Sequence, residues 1–207
     1  MLFRSLTAPP GWRDARLAEI PLIHLSDGSA DTGIACAEAE AGLLLRRPTV
    51  VVGQQYLLDP ARVPAGAAAL WLQLQEVPHA PRGDAAGELD TTQGWTETLA
   101  QGYANRVLDR FARHAPDLRD KVRAIDVLTP CDLHRRNPNA VNGDPYGGSA
   151  ELDQSLLWRP LASSGRHATP VGRLWHIGAS THPGAGLGGG SGHLVATTLT
   201  KRRAWRR

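Results

Sequence analysis

The chain has 207 residues, 42% hydrophobic and 21% charged, the balance of an ordinary globular protein with room for one or two domains and an apolar core. Its net charge of +3 does not describe a nucleic-acid surface, because the last seven residues, KRRAWRR, carry five positive charges and leave the rest at −2 (3 − 5), with no basic stripe interleaved with aromatics elsewhere. The opening MLFRSLTAPPGWRD lacks the apolar centre of a signal peptide, no apolar run is long enough to span a bilayer, and Cys36 and Cys131 match no metal or redox spacing, so the expectation is a cytoplasmic protein with two buried thiols.

In chain order, residues 1–20 read as irregular, with a short helix near 14–18. Leu22–Leu25 is an apolar run closed by the turn signal Ser26-Asp27-Gly28. Ile34, Ala37, Ala41 and Leu44 recur at helical spacing and predict a helix over 29–45, stopped by Arg46-Arg47-Pro48. The β-branched run TVVVG at 49–53 predicts a buried strand. Residues 68–77 alternate, with Leu70, Leu72 and Leu74 on one face and Trp71, Gln73 and Gln75 on the other. That is a half-buried strand, or one whose Trp/Gln face lines a cavity. Residues 79–94 read as a loop, long enough to hint at function. The strongest helix signal covers 96–115, where Leu99, Tyr103, Val107 and Phe111 form an i+4 stripe flanked by Ala100, Ala104 and Leu108. A strand is predicted over 122–129, then a turn-laden stretch over 130–170, a short strand over 174–177, and a helix over 193–200 before the basic tail. The tail reads as a solvated end that complements the helix dipole, with a weak hold on an anionic membrane surface as the alternative.

The stretch GASTHPGAGLGGGSGH (178–193) joins the last strand to the last helix. A glycine turn before a helix start is a natural site for negative charge, since free N–H groups point outward there and glycines let a ligand approach the backbone. Gly184-Ala185-Gly186-Leu187-Gly188-Gly189 is formally a G-x-G-x-x-G. A dinucleotide fingerprint needs a further strand with an acidic residue about 20 residues on, and only 18 mostly basic or apolar residues follow Gly189. Two readings stand: contact with the N1–C2 carbonyl edge of a flavin, where a helix end stabilises the reduced ring, and a turn that only lets strand and helix pack closely. His176, His182 and His193 are spaced by six and eleven residues, which fits no common metal site, so no metal is expected. Tyr146 and Asp144 are substrate-facing groups or local hydrogen-bonders in a turn.

Taken together, GASTHPGAGLGGGSGH, PTVVVGQ (48–54), LWLQLQEVP (70–78), LTPCDLHRRNPNAVNGDPYGG (128–148) and LDQSLLWRP (152–160) resemble the latter half of the phytoene desaturase-like FAD-dependent oxidoreductases. That family includes carotenoid desaturases and isomerases, desaturase-like β-carotene ketolases and the pyridine nucleotide-disulphide oxidoreductase-domain proteins. The resemblance runs from about His24 to Lys201. It implies an α/β fold, with a substrate-domain sheet and helices in residues 1–170. The last strand and helix of a Rossmann-like FAD domain would lie in 171–207. It implies that Gly178, Ala179 and Ser180 end a strand beside the flavin ribityl chain, and that His182, Pro183 and Gly184 lie along the isoalloxazine. Gly186, Leu187, Gly188, Gly189, Gly190, Ser191 and Gly192 would open the helix facing the N1–C2 edge. The segments 137–148 and 153–160 would pack near flavin and substrate. Trp71, Gln73, Gln75 and Tyr146 would line the wall for an apolar substrate.

The sequence departs from the family at its start, for VVVGQQ (50–55) is not the strand–GxGxxG–helix that grips the ADP half of FAD. The expectation is therefore a C-terminal part, or a split subunit, of an FAD-dependent oxidoreductase that takes hydride from an apolar, carotenoid or isoprenoid, substrate. A separate N-terminal FAD-binding chain or a homodimer would complete it, with peripheral membrane contact as a further expectation. The alternative is a non-catalytic binding or regulatory module that keeps the fold but holds no FAD alone.

Overall fold

In the computed structural model, residues 2–149, 151–155, 158–159, 167–186 and 189–204 are described. The chain divides into two units, Met1–Asp132 and Leu133–Arg207. The first contains β1 (Leu2–Leu6), β2 (Leu22–Leu25), α1 (Ser29–Glu40), β3 (Leu43–Leu44), β4 (Val50–Gly53), β5 (Ala68–Gln73), β6 (Gly83–Asp84), α2 (Glu97–Ala112), α3 (Leu118–Lys121) and β7 (Val122–Val127). The helix α4 (Pro130–Arg136) crosses the boundary, and α5 (Gly190–Ala204) closes the second unit. No helix among the described residues is long and apolar enough to cross a membrane.

The main sheet has the order β2-β4-β5-β1-β7, and every neighbouring pair is antiparallel. Alternation decides which face is buried: along β5 the residues Ala68, Leu70 and Leu72 are buried while Ala69, Trp71 and Gln73 are half-buried. β4 is buried along its whole length, as a β-branched run flanked on both sides by strands should be. The helix α2 lays Val107, Leu108 and Phe111 against Leu6, Ile23, Leu25, Val50, Val52, Leu70 and Leu72. Its start is capped by the Thr96 hydroxyl, which accepts from the Leu99 N–H at 3.1 Å. Trp12 stands 4.9 Å from Phe111, ring to ring.

A fully buried amide ties this core to the first loop. The Gln54 Nε2 donates to the carbonyls of Leu17 (2.9 Å) and Ile20 (2.8 Å). Its Oε1 accepts from the Trp12 indole at 3.1 Å and the Tyr56 hydroxyl at 3.3 Å. Every polar atom of the side chain is therefore used, which is what lets it sit inside.

The second unit is built differently. Its only buried apolar side chain among the described residues is Val195, whereas Arg159, His167, Thr181 and Ser191 are buried polar groups. Val171, Leu174, Ile177, Leu194 and Leu199 are exposed.

The structure bears out mixed α and β elements with a sheet, and corrects several local expectations. β1 falls where irregular chain was expected; it pairs with β5 on one side and β7 on the other, a placement that only distant chain segments create. The expected helix over 29–45 ends at Glu40, because Gly42 turns left-handed (φ 76°) and Leu43–Leu44 pairs in parallel with β6, inside the stretch read as loop. Ile34 is exposed and the buried face of α1 carries Asp31 and Ala35. Cys36 is exposed and Cys131 half-buried, so neither is a buried core thiol. No strand forms over 174–177: a single bridge links Ala168 to Trp175, and Leu174 and Ile177 face outward without strand neighbours among the described residues. The last helix begins at Gly190, three residues before the expected start.

Candidate functional site

The site builds from the glycine stretch of the second unit. Gly178 and Gly184 have φ of 124° and 101°, a region that side-chain-bearing residues rarely adopt. Between them the backbone makes two consecutive turns, Thr181 N–H to the Gly178 carbonyl (3.1 Å) and Gly184 N–H to the Thr181 carbonyl (2.6 Å). The buried Thr181 hydroxyl donates to the same Gly178 carbonyl at 2.9 Å. Ser191, in the first turn of α5, accepts from the Gly178 N–H at 3.0 Å. Its hydroxyl thereby fixes the ledge to the helix start.

The glycines divide into two kinds. A Cβ on Gly147 would meet the Ser180 nitrogen at 2.8 Å, and one on Gly190 would meet the Pro183 Cγ at 2.7 Å. These two are glycine because chain segments touch there. A Cβ on Gly178, Gly186 or Gly189 would meet nothing within 4 Å, and one on Gly184 only the Arg159 guanidinium at 3.8 Å. Those positions leave open space beside the backbone.

Of these four, Gly184 also lines a cavity of about 410 Å³, together with Tyr146, Gln154, Ser155, Arg159, His182, Pro183 and Ala185. Arg159 organises it. Its Nε and Nη2 donate to the Ala179 carbonyl (3.2 and 2.9 Å), Nη2 also to the Tyr146 carbonyl (3.0 Å), and Nη1 to the Ser149 carbonyl (2.5 Å). One side chain thus clips the Tyr146–Ser149 loop to the glycine ledge. In the same unit, His167 donates through Nδ1 to the His176 carbonyl (3.1 Å), while its Nε2 is buried without a partner among the described residues. Ser180 Oγ stands 3.4 Å from His176 Nε2.

Of the residues singled out from sequence, Tyr146, His182, Pro183 and Gly184 share this cavity, with Gly178, Ala179 and Ser180 forming the ledge behind it and Gly186 and Gly189 leading to α5. Gly190, Ser191 and Gly192 form the first turn of α5. Leu187 and Gly188 lie outside the described residues. Trp71 and Gln73 belong to β5 in the first unit, both half-buried, and Gln75 lies beyond that strand and is exposed. Gln154, Ser155 and Arg159 lie in the segment 153–160 that the resemblance sets near flavin and substrate, but the sequence singles out none of them individually. An arginine before a proline carries no local signature, and only the carbonyls it collects from segments ten to twenty residues away reveal its part.

No family model matches the chain. It is 32% identical over 161 residues to the "Pyridine nucleotide-disulfide oxidoreductase domain-containing protein 2" of Mus musculus, a match covering 77% of this chain and 26% of that protein. The "Phytoene desaturase (lycopene-forming)" of a Paracoccus species is 31% identical over 140 residues, covering 67% of this chain and 25% of that one. The chain is related to the phytoene desaturase-like oxidoreductases. A third relative of this phytoene desaturase-like chain is the "Phytoene desaturase (lycopene-forming)" of Pseudescherichia vulneris, 31% identical over 159 residues, a match covering 76% of this chain and 28% of the relative. The chain spans about a quarter of the length of these curated relatives (26%, 25% and 28%).

Proposed function

We propose that this chain supplies the ring-contacting cap and part of the substrate domain of an FAD-dependent oxidoreductase acting on an apolar, carotenoid or isoprenoid, substrate. The observation that carries the reading is the glycine ledge with unfilled Cβ positions at Gly178, Gly186 and Gly189, beside a cavity of about 410 Å³. A volume of that order suits a small-molecule ring, and a side chain at any of the three glycines would fill space that a planar ligand needs. The fit is therefore good at the ring end. Bound FAD would supply a hydride acceptor. The chain's own residues would then hold the ring. Gly178 to Ser180 form the floor, His182 and Pro183 one wall, and the free N–H groups of the first turn of α5 offer partial positive charge.

The ADP-gripping part would come from elsewhere, as a longer polypeptide or as a separate chain. The exposed Leu174, Ile177, Leu194 and Leu199, set against a unit with Val195 as its one described buried apolar residue, support an apolar cover of that kind.

The test is flavin retention. The chain is produced alone and together with the ADP-binding segment of a related oxidoreductase, and bound flavin is read from its visible absorbance. Co-purified flavin that is lost on Gly186→Val supports the reading. Absence of flavin from both preparations rejects it and leaves the non-catalytic module.

A further inference from the structure

Arg159 presents a charge that no described residue balances. The residue is 6% exposed, and its hydrogen-bond partners among the described residues are all backbone carbonyls, those of Ala179, Tyr146 and Ser149. No described carboxylate pairs with it within the 4.0 Å that defines an ion pair. Every Asp and Glu side chain lies among the described residues. Asp144, in the same loop as Tyr146, accepts instead from the N–H groups of Tyr146 (2.7 Å) and Gly148 (2.9 Å). The other buried arginine among the described residues, Arg110, has two carboxylate partners, Asp27 and Asp31, each at 3.1 Å. A buried cation without a counter-charge is costly, and carbonyl dipoles return only part of what desolvation removes.

The position of the charge says what would balance it. Arg159 lines the cavity together with His182 and Gln154. Its four hydrogen bonds use Nε, both N–H groups of Nη2 and one of Nη1, so of five donors one Nη1–H has no acceptor among the described residues. We infer that the cavity accepts an anionic, oxygen-bearing group of a small molecule, held against the Arg159 guanidinium. The guanidinium serves first as a clip for the two loops and then as the counter-charge of the ligand.

Two sources share that chemistry: a carboxylate on a substrate, and the anionic N1–C2 carbonyl edge of a reduced flavin. The first stands without the flavin reading; the second rests on it. Benzoate and its neutral isostere benzamide test the first on the full chain, by calorimetric titration. Oxidised and dithionite-reduced riboflavin, which carry no phosphate, test the second anaerobically. The expected result is a preference for the anionic member of at least one pair by about tenfold or more, as a charge-assisted hydrogen bond in a secluded site gives. Arg159→Gln should abolish the preference and Arg159→Lys should keep part of it. Because Arg159→Gln also removes the clip, the wild-type chain is read independently: the Arg159 Nε–H resonance should shift with the preferred anion and not with its neutral partner. Preference for benzoate alone assigns the site to a substrate carboxylate, and preference for reduced riboflavin assigns it to the flavin edge. Equal binding within both pairs, an undiminished preference in a folded Arg159→Gln chain, or an unmoved Arg159 resonance overturns the inference. Failure of flavin retention with a surviving benzoate preference rejects the cofactor reading and leaves this one standing.

Discussion

The Asp84 carboxylate shows how much one residue's surroundings decide. Its side chain is 1% exposed and receives both guanidinium nitrogens of Arg106, at 2.6 and 2.7 Å, and the N–H groups of Glu88 (2.8 Å) and Leu89 (3.0 Å). Burial pushes its pKa up, but the Arg106 bonds and those two N–H groups outweigh burial and bring it down to about 2. A carboxylate whose folded pKa lies below its unfolded value stabilises the fold above the unfolded value, 3.8, and loses that contribution as pH falls through about 2. The contribution is about 2 kcal/mol. Urea unfolding followed from pH 5 to pH 2 should show the loss, and Asp84→Asn should remove that part of the slope. At neutral pH the same substitution should destabilise the chain by roughly 3 kcal/mol, since it leaves a buried guanidinium half-paired. None of this is visible in the sequence. Arg106 and Arg159 look like any other of the chain's arginines until the fold brings carboxylates to one and only carbonyls to the other.

At the scale of elements, the same substitution should act with opposite sign at two helical glycines. A Cβ on Gly33 of α1 would meet nothing within 4 Å, so Gly33→Ala should stabilise by about 0.5–1 kcal/mol by reducing unfolded-state freedom. A Cβ on Gly190 at the start of α5 would press on Pro183 at 2.7 Å, so Gly190→Ala should destabilise by about 1–3 kcal/mol through overpacking. Thermal melts of both variants check the pair. Thr96→Ala should remove the cap of α2 and cost about 1 kcal/mol. The helix α2 was legible because Leu99, Tyr103, Val107 and Phe111 report one face through their spacing, and all four are buried. α1 was legible as a helix but not in its buried face. There an ion pair of Asp31 with Arg110 (3.1 Å) and Arg47 (3.0 Å) outranks the apolar spacing of Ile34. The short run 174–177 shows the converse: apolar residues alone do not make a strand when no neighbour offers hydrogen bonds.

For the whole molecule, the two units differ in what holds them. The first has a contiguous apolar core from Leu6 to Leu118, and a segment of that size is long enough to fold by itself. Residues 1–132 expressed alone should give a cooperative urea transition, monitored by the fluorescence of the buried Trp12. The second unit, with Val195 as its single described buried apolar residue, should depend on its hydrogen-bonded loops and on whatever covers its outward Leu174, Ile177 and Leu199. The full chain should therefore bind an apolar dye such as anilinonaphthalene sulphonate and release it when an ADP-binding partner segment is supplied; unchanged dye binding in the flavin-loaded assembly would count against an apolar cover.

By itself the sequence determined the features that a single segment can carry: the stripe of α2, the alternation of β5, the buried run of β4, the glycine stretch and the kinship with phytoene desaturase-like oxidoreductases. Each depends on spacing within a few turns or on residue types in a row, so neighbours along the chain suffice to define it. The tertiary structure alone decided the place of β1 between β5 and β7, the pairing of β3 with β6, the Asp84–Arg106 pair and the Arg159 clip. These join groups at least ten positions apart along the chain, and the hydrogen bonds they form offset the cost of taking those polar groups out of water. A one-dimensional pattern does not record which partners are buried with which, and that pairing is what turns a glycine-rich turn and an ordinary arginine into a charged, walled cavity.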